Sequence, residues 1–69
     1  MDVRYTTQLA SDIQRDGMAV ELISEDGHVV GEIFRSDKSG EILFSLYKSD
    51  VPLLAIEILL ARAKNEFNR

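Results

Sequence analysis

Apolar and polar residues alternate along three stretches of the chain, Met18 to Ser24, His28 to Ser36 and Glu41 to Lys48. Each is rich in β-branched and aromatic side chains, and each is bounded by Asp-Gly or Ser-Gly pairs, the punctuation of turns. Period-two alternation predicts strands with one buried and one wet face. The stretches follow one another with short connections, which predicts a three-stranded antiparallel meander.

The connections set the pairing. Asp26-Gly27 is a two-residue hairpin signal that places Glu25 opposite His28. Counting back, Leu22 then faces Gly31, Glu21 faces Glu32, Val20 faces Ile33 and Met18 faces Arg35. A four-residue loop, Asp37 to Gly40, sets Ser36 opposite Glu41, so Ile33 faces Phe44 and Gly31 faces Leu46. One face then collects Met18, Val20, Leu22, Val29, Ile33, Ile42, Phe44 and Leu46, and this face is the expected core. Gly31, in mid-strand, reads as relief for its large neighbours or as a bulge.

From Val51 to about Asn68 the period changes. Leu53, Ile56, Leu59, Leu60, Ala63 and Phe67 form one broad stripe at 100° per residue, which predicts a helix lying on the core face. Ser49 or Asp50 is placed to cap it, and Pro52 is tolerated in its first turn. The N-terminal segment carries two signals. Leu9 and Ile13 at i, i+4, followed by Gly17, favour a short helix over Thr7 to Asp16, whereas Val3, Tyr5, Thr7 and Leu9 alternate as a strand would. With the helix, the expected fold is an α+β domain of two layers, α-β-β-β-α, with both helices packed on one face of the three-stranded sheet.

Composition narrows the picture. The 69 residues form a single expected domain, 1–69, in which roughly 60% of the unfolded surface can be buried. There are no cysteines to staple it, and 45% hydrophobic with 29% charged residues is an ordinary globular balance. No apolar run resembles a signal peptide or spans a bilayer, so a cytoplasmic location without membrane attachment is the expectation. A net charge of −4, with eight scattered cations, argues against nucleic acid as partner.

Chemistry is sparse. His28 is the only imidazole and stands beside a predicted turn, where a solvated side chain is the simplest reading. The serines lie in no nucleophile elbow, and no phosphate-binding or calcium-binding loop occurs. Neither a metal site nor a cofactor is expected, and the chain reads as a non-enzyme. Glu21 opposite Glu32 is the one unusual pair, because like charges facing across a sheet are unfavourable. A partner's Lys or Arg held between them, with Ser45 across from Glu32, would relieve it.

The outer sheet face should carry Ile23, Val30, Phe34, Leu43 and Tyr47 around Glu21 and Glu32. Left open to water, these seven residues make a contiguous patch suited to a protein partner. On the last helix, Leu54, Ile58 and Ala61 lie off the core stripe and suggest self-association as a homodimer. The expected function is therefore a protein-interaction module, self-associating and acting through the outer sheet face. The alternative is a small acidic inhibitor, an immunity or anti-defence protein, that blocks a basic nucleic-acid-binding site.

Two resemblances accompany this reading. The predicted α-β-β-β-α order is similar to that of the double-stranded RNA-binding domain. That family's lysine cluster at the start of the last helix is replaced here by Asp50-Val51-Pro52-Leu53. Over its whole length the chain also resembles small bacterial proteins of unknown function. Arg15-Asp16-Gly17, Val20-Glu21-Leu22, Glu32-Ile33-Phe34, Ser36-Asp37 and Asp50-Val51-Pro52 carry that likeness, which implies no activity and no site.

Overall fold

A computed structural model describes residues 4–68 as an α+β fold, a four-stranded antiparallel sheet followed by one helix. The strands are β1 (Thr6–Asp12), β2 (Gly17–Ile23), β3 (Val29–Ser36) and β4 (Ile42–Leu46), in the spatial order β1-β2-β3-β4. The helix α1 (Leu53–Phe67) follows.

The N-terminal segment is thus a strand, not the expected helix, and the order is β-β-β-β-α. Likeness to the double-stranded RNA-binding domain in element order ends there. The alternation seen at Tyr5, Thr7 and Leu9 was the operative signal; Val3 lies outside the described residues. Leu9 pairs with Val20 and Thr7 with Leu22, so ladder bonds along all of β2 outweigh a short helix of fewer than about three turns. Asp12 makes the reversal local. Its carboxylate accepts from the Arg15 backbone amide at 3.0 Å, and Asp16 takes a positive φ of 53° that lets the chain re-enter as β2.

Both later hairpins keep the predicted central register. Val20 pairs with Ile33, Glu21 with Glu32 and Leu22 with Gly31; Ile33 pairs with Phe44 and Gly31 with Leu46. The β2–β3 turn itself differs. Ser24, not Glu25, stands opposite His28, with Ser24 N donating to His28 O at 2.9 Å and Gly27 at φ 88°. The turn therefore holds one residue more than Asp26-Gly27 alone predicts. A register shift between Leu22 and Ile23 pairs Ile23 with Val29 and absorbs the offset. The Asp37–Gly40 loop closes as expected, with Ser36 N donating to Glu41 O at 2.9 Å.

The buried cluster consists of Val20, Leu22, Val30 and Ile33 from the sheet with Ala55, Leu59 and Ala63 from the helix. Ala55 and Ala63, one turn to either side of Leu59, let the helix backbone approach the sheet closely. Compared with the predicted stripe, the helix is rolled by roughly 70° at 100° per residue. Leu53 and Leu60 are exposed, while Arg62 faces β1 and donates to Thr7 Oγ1 at 3.2 Å. The roll has a topological cause. With β1 added beyond β2, the centre of the sheet moves away from β4, and α1 lies across β1, β2 and β3 without its backbone approaching β4.

Neither Ser49 nor Asp50 caps α1. Pro52 occupies the N-cap position with extended ψ of 138° and no side-chain cap bond, and its carbonyl accepts from Ala55 N at 2.9 Å. Asp50 instead adopts a positive φ of 61°, turning the chain from β4 toward the helix.

Candidate functional site

The outer sheet face is largely closed by the chain itself. Arg15, in the β1–β2 turn, reaches back over the sheet, and its guanidinium carbon lies 4.1 Å from the centre of the Phe34 ring. The same group donates 2.6 Å bonds to Glu32 Oε2 and Asp12 Oδ2. Beneath it, Phe34 is 4% and Glu32 5% exposed. The Phe34 ring also presses on Gly17, where an added Cβ would lie 2.5 Å from Phe34 Cε1 and overlap the Arg35 carbonyl oxygen.

The expected residues consequently separate. Val30, Glu32 and Phe34 are buried, which corrects the expectation that they lie open to water. Val30 joins the core cluster at the register shift, and the Arg15 lid covers the other two. Glu21 accepts from Gln8 Nε2 at 2.7 Å, so each carboxylate of the facing pair has its own donor. The basic group that the pair called for is Arg15, supplied by the chain. Glu32 also acts on Tyr47. Desolvation first, then the negative charge of Glu32 and its hydrogen bond with the phenol, hold the Tyr47 pKa above its ordinary value.

Leu43 and Tyr47 are the open apolar members of the outer face, with Ile23 half-buried. They belong to a larger exposed surface that follows β4. Ile42, Leu43, Phe44, Leu46 and Tyr47 are all between 45 and 59% exposed. On the helix side, β4 and α1 bound an apolar groove of about 220 Å³, in which Ile42 and Phe44 face Leu60, Ala63 and Phe67, with Lys64 at the rim. Arg35 stacks over the Phe67 ring at 5.1 Å. Ile42, Phe44 and Leu46 were expected in the core; the roll of the helix toward β1 uncovers them.

On α1, Leu54 and Ala61 are exposed and Ile58 is half-buried, on the flank nearer β1 rather than beside the groove. His28 is exposed, with Nδ1 3.3 Å from Asp26 Oδ2. No group of three or more His, Cys, Asp or Glu among the described residues is arranged to hold a metal ion. No described helix is long and apolar enough to cross a membrane. The acidic side chains are extensively paired. Glu25 meets Arg4 at 3.0 Å, Asp16 meets Lys38 at 3.5 Å and Glu66 meets Arg62 at 2.9 Å.

Sequence reasoning passed over Arg15, because an arginine in a turn carries no signal of where it folds back. Leu53 and Leu60 were placed in the core for want of a fourth strand, whereas Phe67 does pack against that core, half-buried. Comparison with protein-family models, with curated proteins and with solved structures finds no match to this chain.

Proposed function

We propose that this chain is a non-enzymatic protein-interaction module that self-associates, with β4 and the flanking groove of α1 as its working surface. A single observation carries the reading. Four large side chains of β4, Ile42, Leu43, Phe44 and Leu46, and Tyr47 just after it stand half-exposed on both faces of the strand. Contiguous apolar surface of this kind marks association sites rather than ordinary solvated surface. The outer sheet face enters this surface through Leu43 and Tyr47, and the helix side through Ile42, Phe44 and Leu60.

The reading of the chain as an acidic decoy for a basic nucleic-acid site gains no specific support, because Asp16, Glu25, Glu32 and Glu66 meet cations of the same chain.

Leu60→Glu tests the module. Leu60 is half-exposed on the helix side of the groove, so the variant keeps its fold, checked by circular dichroism, while placing a charge in the apolar surface. Proteins retained on immobilised wild-type chain should be lost at least about tenfold on the variant, the loss expected from a central contact. Their affinity for the wild type should change little with salt. Equal retention on both chains, or affinity that falls steeply with ionic strength, ends this reading.

A further inference from the structure

We propose that the free edge of β4 pairs antiparallel with the β4 edge of a second copy, centred on Phe44, to form a twofold dimer with one continuous sheet. The inference rests on the reading of β4 as the interaction strand and names its partner and register.

The hydrogen-bond phase of β4 carries it. Glu41 O accepts from Ser36 N at 2.9 Å, and Tyr47 N donates to Val30 O at 2.8 Å. In an antiparallel ladder the bonded residues alternate, so Glu41, Leu43, Ser45 and Tyr47 turn their amides and carbonyls toward β3. Ile42, Phe44 and Leu46 therefore present theirs to the open edge, since β4 is the last strand of the sheet. Pairing about Phe44 lets Phe44 exchange bonds with its own counterpart and Ile42 with Leu46 of the other copy. Two bonds for each of three pairs would satisfy every edge group of the strand.

Side chains and charges agree with that register. Ile42, Phe44 and Leu46 share the helix-side face, opposite Arg35, Ile33 and Gly31, so pairing lays apolar side chains against apolar side chains. At each end this register sets Glu41 of one copy opposite Tyr47 of the other, so no two like charges face each other across the pairing. A parallel in-register pairing would instead set Glu41 against Glu41 and Lys48 against Lys48, which is unfavourable.

Folded proteins normally guard a sheet edge with charge, proline or a bulge. Ile42–Leu46 has none of these: it contains no charged residue or proline, and its pairing with β3 shows no register shift. The opposite edge, β1, is Thr-Thr-Gln-Leu-Ala-Ser-Asp, polar at five of its seven positions. A short strand pairing lies at the small end of interface size, so a dissociation constant on the order of micromolar to tens of micromolar is expected.

Sedimentation equilibrium from about 1 μM to about 1 mM spans that range. Wild-type chain should pass from monomer to dimer, and Phe44→Lys, which places a guarding charge on a half-exposed position, should remain monomeric and folded. The register is tested independently in the cysteine-free chain. Leu43 of one copy faces Ser45 of the other across a non-bonded pair, about 4.5 Å between Cα atoms and within disulfide range. A mixture of Leu43→Cys and Ser45→Cys chains, oxidised with glutathione disulfide, should cross-link unlike chains several-fold faster than either chain cross-links with itself. A monomeric wild type, a Phe44→Lys variant that dimerises equally, or cross-linking without preference for unlike chains overturns the pairing. A monomeric wild type also ends the self-association of the module, but none of these results decides the Leu60→Glu retention experiment, so failure of the β4 pairing and failure of partner binding are read separately.

Discussion

The Arg15 guanidinium lies 4.1 Å above the Phe34 ring while also donating to Glu32 and Asp12. One side chain from a turn thus supplies the cover that a second layer would otherwise give this part of the sheet. A planar cation can stack on a ring and still direct N–H groups at two carboxylates, which an ammonium cannot.

Replacing Arg15 should therefore uncover Phe34 and leave Glu32 without its cation. Arg15→Ala is expected to lower the thermal midpoint, and Arg15→Lys to recover only part of the loss. Melting of the two variants beside wild type checks this. An unchanged midpoint in Arg15→Ala would show that the lid adds nothing to the fold.

Gly17 should not accept a methyl group. An added Cβ meets both the Phe34 ring and the Arg35 carbonyl oxygen, so Gly17→Ala is expected to cost about 2–3 kcal/mol in urea unfolding. Adding Phe34→Leu should fail to rescue it, because the backbone clash persists. Full recovery in the double variant would place the constraint in the ring alone.

The roll of α1 can be read from two adjacent leucines. Leu59 is fully buried, and Leu59→Ala should cost about 3 kcal/mol. Leu60 is half-exposed, and Leu60→Ala should cost less than about 1 kcal/mol. Chemical denaturation of the pair measures both, and equal costs would contradict the orientation described.

Acid should weaken the fold through Asp12 and Asp26. Hydrogen bonds from the Arg15 side chain, chiefly, lower the Asp12 pKa below its ordinary 3.8, and the Ser24 hydroxyl does the same for Asp26. A depressed native pKa means that the unfolded chain binds protons first as pH falls. The contribution is complete above about pH 4 and is lost as pH drops through the native values. Asp12→Asn should flatten the acid limb of the stability profile; an identical limb would remove Asp12 from it.

At the other extreme, the raised Tyr47 pKa predicts that stability declines as pH rises beyond 10.0, where the unfolded phenol ionises before the folded one. Ultraviolet titration of Tyr5→Phe, which leaves Tyr47 as the reporting phenol, should show late ionisation, and Glu32→Gln should bring it earlier. Ionisation unaffected by Glu32→Gln would contradict the coupling.

Much of the sheet is legible in the sequence because its causes are local. Asp26-Gly27 and Ser39-Gly40 locate two reversals, and period-two alternation brings Leu22 opposite Gly31 and Ile33 opposite Phe44. Even the extra residue in the β2–β3 turn leaves those pairs intact, since the register shift near Val30 absorbs it. The candidate surface is less legible. Leu43 and Tyr47 could be placed on the outer face by counting, but Phe34 and Glu32 share that face and are buried.

The sequence by itself determines where β2, β3 and β4 lie, how their centres pair, and that an amphipathic helix follows. These depend on residues close together in the chain, on turn geometry and on nearest-neighbour alternation. Tertiary structure alone decides whether Thr6–Asp12 is strand or helix, how far α1 rolls and which apolar residues of β4 are uncovered. Those outcomes depend on where the centre of the assembled sheet falls, and β1 moves that centre away from β4. The same holds for Arg15, whose place over Phe34 follows from folding a turn onto a face built by residues 17 and 19 positions further along the chain.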